Sequence, residues 1–148
     1  MRGSATVIIS KPIEEVYTFI TDVTNNDRWV EGASDTQLTS EGEIRAGSVF
    51  EGKYTYSGKT HDISYKVVNI SYPNHFRVKS LTGPFPFENW LDLKDMNKKT
   101  EITNTIEAGS DHFLTTLMFI FLKPILNRQM NKQMEKELLN LKKLVEAT

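Results

Sequence analysis

The feature that most constrains the fold is a change of hydrophobic period near Gly109. Before it, short runs rich in β-branched and aromatic residues are separated by turn-forming residues. After it, apolar residues recur at spacings of three and four, as on one face of a helix. Short connections favour antiparallel hairpins, because a parallel pair needs a long crossover. The pattern predicts a meander of six strands, at residues 35–39, 48–56, 60–70, 76–81, 87–93 and 100–107, followed by a long helix.

The residues before this meander predict one more strand and two short helices. Residues 6–10 are rich in β-branched side chains, and the apolar spacing in the next segment predicts a helix at Ile13–Thr21. Pro12 suits a first helical turn, and Glu14 and Glu15 interact favourably with the helix dipole there. Residues 22–30 combine turn formers with Trp29, which predicts a bend or a second short helix. We therefore expect a seven-stranded antiparallel sheet in an α+β fold.

The C-terminal segment predicts an amphipathic helix with Pro124 near its start. The proline should either separate two helical pieces or kink one helix. The apolar run at 113–122 is shorter than the roughly twenty residues that span a bilayer. We expect it to be a buried helix end that also forms a wall of a cavity. The predicted apolar stripe of the helix consists of Leu126, Met130, Met134, Leu138, Leu141 and Val145.

Length and composition set further limits. The 148 residues are expected to form a single domain, 1–148. With 18 basic and 19 acidic residues the formal charge is -1, which disfavours nucleic-acid binding. The chain has no cysteine, so disulfides and thiolate chemistry are excluded. The N-terminus lacks a long apolar leader, so we expect a cytoplasmic protein. Oligomeric state is left open.

The sequence carries no motif for metal, nucleotide or nucleophilic chemistry. His61, His75 and His112 are far apart and no spacing places two ligands on one helical face, so we expect surface histidines and no metal. The sequence contains neither a Gly-x-Ser-x-Gly elbow nor a glycine-rich loop before a helix. No cofactor is therefore expected.

General acid or base chemistry needs only one or two polar groups in an apolar pocket. Strand tyrosines usually pair their hydroxyl groups with backbone or water, so a packing role is favoured over catalysis. Glu88 and Asp92 alternate with apolar residues and should be surface charges. The candidates for acid or base chemistry are Tyr54, Tyr56, Tyr65 and His61.

Several segments resemble the START-like superfamily, also called helix-grip or SRPBCC, in its polyketide cyclase/dehydrase-like branch. They are the opening strand and helix at 7–22, the pair Arg28-Trp29, Gly47, and Tyr72-Pro73. The resemblance covers nearly the whole chain and implies a helix-grip fold, a curved sheet wrapped around a long C-terminal helix. It also implies a small apolar ligand between sheet and helix: a lipid, a sterol, a polyketide or an aromatic metabolite. Because the fold hosts carriers, stress proteins, cyclases and chaperone activators, it does not by itself define a function.

One helix cannot fill the concave side of a seven-stranded sheet, so we predict a cavity there and binding of a small apolar molecule without catalysis. Two alternatives are a polyketide cyclase/dehydrase-type enzyme using polar groups of the same cavity, and a protein-interaction module with an exposed apolar patch. The predicted ligand-binding residues are Phe50, Tyr54, Tyr56, Tyr65, Val67, Phe76, Phe87, Asn89, Leu91, Asn104, Met118, Met130 and Met134.

Two asparagines stand out on the otherwise apolar inward positions of the last hairpin. If Met96-Asn97 form its two-residue tip, Asn89 lies opposite Asn104 on the inward face. A buried amide must be paired, since an unpaired one costs about 1–3 kcal/mol. The two amides could bond each other or water, or they could orient an oxygen of a ligand. The other pairs in this register are Leu93 with Thr100, Leu91 with Ile102, and Phe87 with Ile106.

Overall fold

The computed structural model describes residues 1–56, 58–109 and 116–148, with only the backbone of Tyr56 and of residues 116–126. Strand β1 is followed by two short helices, six strands and one long helix, and a 3-10 turn at Val23–Asn25 precedes the second short helix. The elements are β1 Arg2–Ile9, α1 Ile13–Thr21, α2 Asn26–Trp29, β2 Ala33–Leu38, β3 Val49–Tyr56, β4 Lys59–Ser71, β5 His75–Thr82, β6 Phe87–Asp95, β7 Thr100–Ala108 and α3 Thr116–Glu146.

The seven strands form one sheet in the order β1-β7-β6-β5-β4-β3-β2, and every neighbouring pair is antiparallel. Sequential strands are neighbours because their connections are short, as the turn residues predict. Among the strands that the structure describes, β1 and β7 are the only neighbours that do not follow each other in the chain. The helix-grip fold expected from the sequence is confirmed.

Helix α1 has the bounds that its sequence pattern predicts, Ile13–Thr21. The apolar positions of the pattern, Ile13, Val16, Tyr17 and Ile20, are all buried. The Tyr17 hydroxyl donates a hydrogen bond to the backbone oxygen of His75 at 2.9 Å, so the polar tip of this buried ring is paired. This hydrogen bond attaches helix α1 to the first residue of β5.

Helix α3 is a single element that continues through Pro124. The two-piece alternative is not what the structure has, and a bend at Pro124 stays a prediction. Four residues of the predicted stripe, Met134, Leu138, Leu141 and Val145, are at most 5% exposed and pack in the core with inward residues of the sheet. The side chain of Leu126 lies outside the described residues.

Polar side chains of α3 pair with the free edge of β1. Asn127 accepts a hydrogen bond from the Arg2 N–H at 2.9 Å, and Asn131 accepts one from the Ser4 N–H at 2.8 Å. Lys142 donates to the backbone oxygen of Ile8 at 2.7 Å. An open strand edge is a site for unwanted pairing, and these contacts cover it. Helix α3 is thus fixed alongside β1 as well as across the sheet.

The register of the β6–β7 hairpin differs from the predicted one by two residues. Asn97 and Lys98 both have positive φ, 59° and 67°, and Met96 donates its N–H to the oxygen of Lys99. A two-residue hairpin tip of this kind needs positive φ at both positions, which asparagine tolerates and methionine disfavours. The tip is therefore Asn97-Lys98, and the prediction of Met96-Asn97 was wrong. The observed pairs are Asp95 with Thr100, Leu93 with Ile102, Leu91 with Asn104, Asn89 with Ile106, and Phe87 with Ala108.

Candidate functional site

The described candidates of the sheet lie on its concave face, since the cross-strand register aligns their positions in rows. One row joins Phe76, Leu91 and Asn104, and the next contains Val67 and Asn89. The candidates differ in burial. Those at most 5% exposed are Phe50, Val67, Phe76, Leu91, Asn104 and Met134. Those partly exposed are Tyr54, Tyr65, Phe87, Asn89 and Met130. The side chains of Tyr56 and Met118 lie outside the described residues.

Four aromatic rings form a chain of contacts that we call the aromatic row: Phe50, Tyr65, Phe87 and Phe85. The ring centroids of Phe50 and Tyr65 are 4.6 Å apart, and those of Tyr65 and Phe87 are 5.3 Å apart. The ring centroid of Phe85 lies 6.0 Å from that of Phe87. Offset and edge contacts at these distances stabilise aromatic pairs. The aromatic row extends from a buried position on β3 to the beginning of β6.

An open cleft of about 500 Å³ lies where the aromatic row reaches the ends of β5, β6 and β7, and we call it the β5–β7 cleft. Its lining includes three concave-face residues, Ser80, Phe87 and Ala108. Four charged residues from the opposite side of the sheet also line it: Arg2, Lys79, Glu88 and Glu107. A cleft lined by both apolar and charged residues is suited to an amphipathic molecule.

The two asparagines contact each other although their register was predicted wrongly. The Asn89 Nδ2 lies 2.6 Å from Asn104 Oδ1 and 2.8 Å from the backbone oxygen of Thr105. Because side chains alternate between faces, the register shift of two residues left both amides on the concave face. The pair is diagonal, and Asn104 is only 4% exposed.

Tyr65 carries the hydroxyl group of the aromatic row, and its pKa is strongly shifted. Burial raises the pKa of Tyr65 well above its ordinary value of 10.0, and the nearby Tyr54 adds to this rise. The phenol is therefore neutral at physiological pH and can donate a hydrogen bond. It cannot act as a phenolate base without a large change of surroundings.

Of the three histidines, His61 lies opposite Tyr54 in the β3–β4 register, and His75 lies on the other face of the sheet. His75 pairs its Nδ1 with Asp92 Oδ1 at 2.6 Å, and His112 lies outside the described residues. Asp92 is exposed. Glu88 is half-buried and forms an ion pair with Arg77. Among residues 1–56, 58–109 and 116–148, no three His, Cys, Asp or Glu side chains come together to hold a metal ion. None of the described helices is long and apolar enough to cross a membrane.

Sequence reasoning missed a buried carboxyl group on α3. Glu137 is 6% exposed and accepts hydrogen bonds from the Glu31 N–H at 3.0 Å and from Gln133 at 3.5 Å. Burial raises the pKa of Glu137 to about 7, against smaller opposing effects of its hydrogen bonds. The buried position of Glu137 could have been predicted, since this residue follows Met134 by three residues and precedes Leu141 by four. Helical spacing alone would have placed it on the inward stripe.

A curved antiparallel sheet gripping a C-terminal helix, with an aromatic row on its concave face, defines a helix-grip protein. The family described as "Polyketide cyclase / dehydrase and lipid transport" matches residues 2–146. The chain belongs to this family, and the resemblance found in its sequence is confirmed. No curated protein sequence matches it significantly.

Solved structures of distant relatives have the same fold. A protein of Thermus thermophilus is 16% identical, with a TM-score of 0.78 over 99% of this chain and 98% of that one. The ZhuI aromatase/cyclase of Streptomyces sp. R1128 is 14% identical, with a TM-score of 0.73 over 99% and 93%. A START superfamily protein of Mycobacterium smegmatis is 13% identical, with a TM-score of 0.69 over 93% and 98%.

Proposed function

We propose that this protein binds a small apolar molecule between the concave face of its sheet and helix α3. The candidate ligands are a lipid, a sterol, a polyketide or an aromatic metabolite. The observation that carries the proposal is the aromatic row, which runs from buried Phe50 to Phe87 in the lining of the β5–β7 cleft. A continuous aromatic surface beside an opening gives an apolar ligand a path of contacts into the protein. The family description, which includes lipid transport, agrees with this proposal.

The inner lining is chemically suited to such a ligand. The charged residues of the cleft come from the opposite face of the sheet, while Tyr65 and the two asparagines on the concave face are neutral. Neutral hydrogen-bonding groups on an apolar surface orient a ligand without the high cost of burying a charge. A cytoplasmic location is part of the proposal, since a chain without cysteine is compatible with a reducing compartment.

Binding should be tested by thermal unfolding with a panel of fatty acids, sterols and polycyclic aromatics. A ligand that binds only the folded state raises the unfolding free energy, by about 2.7 kcal/mol when its concentration is one hundred times its Kd. The melting temperature rises as a result. Sugars of similar size serve as polar controls. Native mass spectrometry of protein from its own cells should then detect a bound apolar molecule.

A pair of variants on one strand tests where the ligand binds. Ala108 faces Phe87 in the concave lining, whereas Thr103 lies on the opposite face of β7 and bonds Thr6. Ala108→Phe should narrow the cleft and weaken binding about tenfold or more, and the control Thr103→Phe should not. An unchanged affinity in a folded Ala108→Phe protein would contradict the proposed location. No melting shift across the apolar panel would contradict the function.

A cyclase or dehydrase activity is the second candidate, and the neutral phenol of Tyr65 near Tyr54 favours it. A neutral phenol can donate a proton or a hydrogen bond to a carbonyl oxygen of a substrate. The test is turnover of a polyketide-like or dienol substrate by the native protein, Tyr54→Phe and Tyr65→Phe. Turnover that is lost in either variant while binding persists would establish catalysis; binding without turnover supports the ligand-binding proposal.

A further inference from the structure

The asparagine pair has only one chemically consistent orientation. The backbone oxygen of Thr105 can only accept a hydrogen bond, so the Asn89 atom 2.8 Å away must be its amide nitrogen. That same nitrogen lies 2.6 Å from Asn104, so the Asn104 atom facing it must be its oxygen. The orientation of both side chains follows from the acceptor chemistry of one carbonyl.

This orientation leaves one acceptor and one donor available. The Oδ1 of Asn89 accepts no hydrogen bond from the described residues, and the Nδ2 of Asn104 donates none to them. The cross-strand neighbours of Asn104 are Ala5 and Leu91, and neither side chain can accept a hydrogen bond. Among the described residues, Trp29 Nε1 is the only fully buried side-chain nitrogen or oxygen without a partner, so the Asn104 Nδ2 keeps access from outside and its N–H group can be reached by a ligand oxygen.

The pair lies next to the aromatic row. Asn89 is two residues along β6 from Phe87 and therefore follows it on the same face. Phe87 lines the β5–β7 cleft and neither asparagine does, so a ligand that reaches the amides from this cleft must extend past the Phe87 ring. The polar end of the ligand would lie at the amides and its apolar part against the rings.

We propose that the pair selects apolar ligands that carry a hydrogen-bond donor next to a carbonyl oxygen. The Asn104 Nδ2 donates to the carbonyl oxygen of the ligand, and the Asn89 Oδ1 accepts from its O–H or N–H group. Primary amides, enolised or hydroxylated ketones and protonated carboxylic acids meet this requirement. Esters meet half of it, and hydrocarbons meet none. This inference rests on the proposed ligand binding and defines the ligand class for that site.

Matched probes test the inference without any mutation. Decanamide and methyl decanoate share a tail but differ in the donor, as do 2-naphthamide and methyl 2-naphthoate. We expect each amide to bind the native protein roughly tenfold more tightly than its ester in native mass spectrometry titrations. Equal affinities would overturn the inference and leave the proposed function intact. Binding of neither the amides, the esters nor naphthalene itself would overturn both.

Substitutions assign the preference to the pair. Asn104→Leu removes the N–H group that binds the carbonyl oxygen, which amide and ester share, and leaves Asn89 bonded to Thr105; both probes should therefore bind about tenfold more weakly, while the amide preference and naphthalene binding are retained. The double variant Asn89→Leu with Asn104→Leu should prefer the ester. Asn69→Leu is the control, since Asn69 is an exposed asparagine of the same sheet. A folded Asn104→Leu protein that binds both probes with native affinity would overturn the inference, as would a native amide preference in the double variant or a loss of preference in the control.

Discussion

The buried carboxyl group of Glu137 should make the stability of this protein fall as the pH rises toward neutrality. Its pKa is about 7 in the folded state, compared with 4.5 for an ordinary glutamate. Between these two values the folded state holds a proton that the unfolded state has lost, so deprotonation favours unfolding. The stabilisation is complete below about pH 4.5 and is lost as the pH passes through 7.

A pKa difference of this size corresponds to about 3 kcal/mol in unfolding free energy between the two ends of the window. Glu137→Gln removes the titration while keeping an oxygen that can accept the Glu31 N–H. We therefore expect the variant to be within about 1 kcal/mol of the native protein near pH 5 and up to about 3 kcal/mol more stable at pH 8. The nearest charged groups, Glu31 and Lys136, pair with each other at 3.7 Å.

The assay is urea denaturation of the native protein, Glu137→Gln and the control Glu135→Gln at several pH values from 5 to 8. Glu135 is an exposed glutamate of the same helix, so its variant should follow the native curve. Taking differences between variants removes the contribution of every other group that titrates. Parallel stability curves for Glu137→Gln and the native protein across this range would refute the reasoning.

Two predictions concern how α3 packs. A Cβ atom added at Gly3 would lie 2.9 Å from Met130 Cβ and from Met134 Sδ, so Gly3→Ala should lower the unfolding free energy by about 1–3 kcal/mol, measured with urea; unchanged stability would contradict this close contact. Leu141 is fully buried and Leu139 is 52% exposed. Leu141→Ala should cost about 2–5 kcal/mol and Leu139→Ala less than about 0.5 kcal/mol, and similar costs would contradict the assigned face of α3.

The elements of the fold were predictable because their signals are local. The bounds of α1 follow from the spacing of its buried residues and from Pro12, all within one short segment. The seven strands follow from β-branched runs and turn residues, and alternation along each strand assigns its concave face. That is why both Asn89 and Asn104 were placed on the correct face.

The register of β6 against β7 was not predicted because it depends on which two residues form the hairpin tip. Both choices keep the alternation intact, since they differ by two residues, so the hydrophobic pattern cannot distinguish them. Backbone geometry at Asn97 and Lys98 decides between them. The contact between Asn89 and Asn104 survived this error because a diagonal neighbour is still within reach of an amide.

The sequence by itself determined the order of the elements, the inward stripe of α3 and the inward face of strands β3 to β7, because these depend on residues adjacent in the chain. Only the tertiary structure decided that Asn127 and Asn131, polar residues off that stripe, would cover the edge of β1. It also decided that Glu137 would be buried against the backbone of Glu31, and that Phe87 would line a cleft while Leu91 is packed in the core. These outcomes depend on partners distant in the chain, and the position of the helix over the curved sheet brings those partners together.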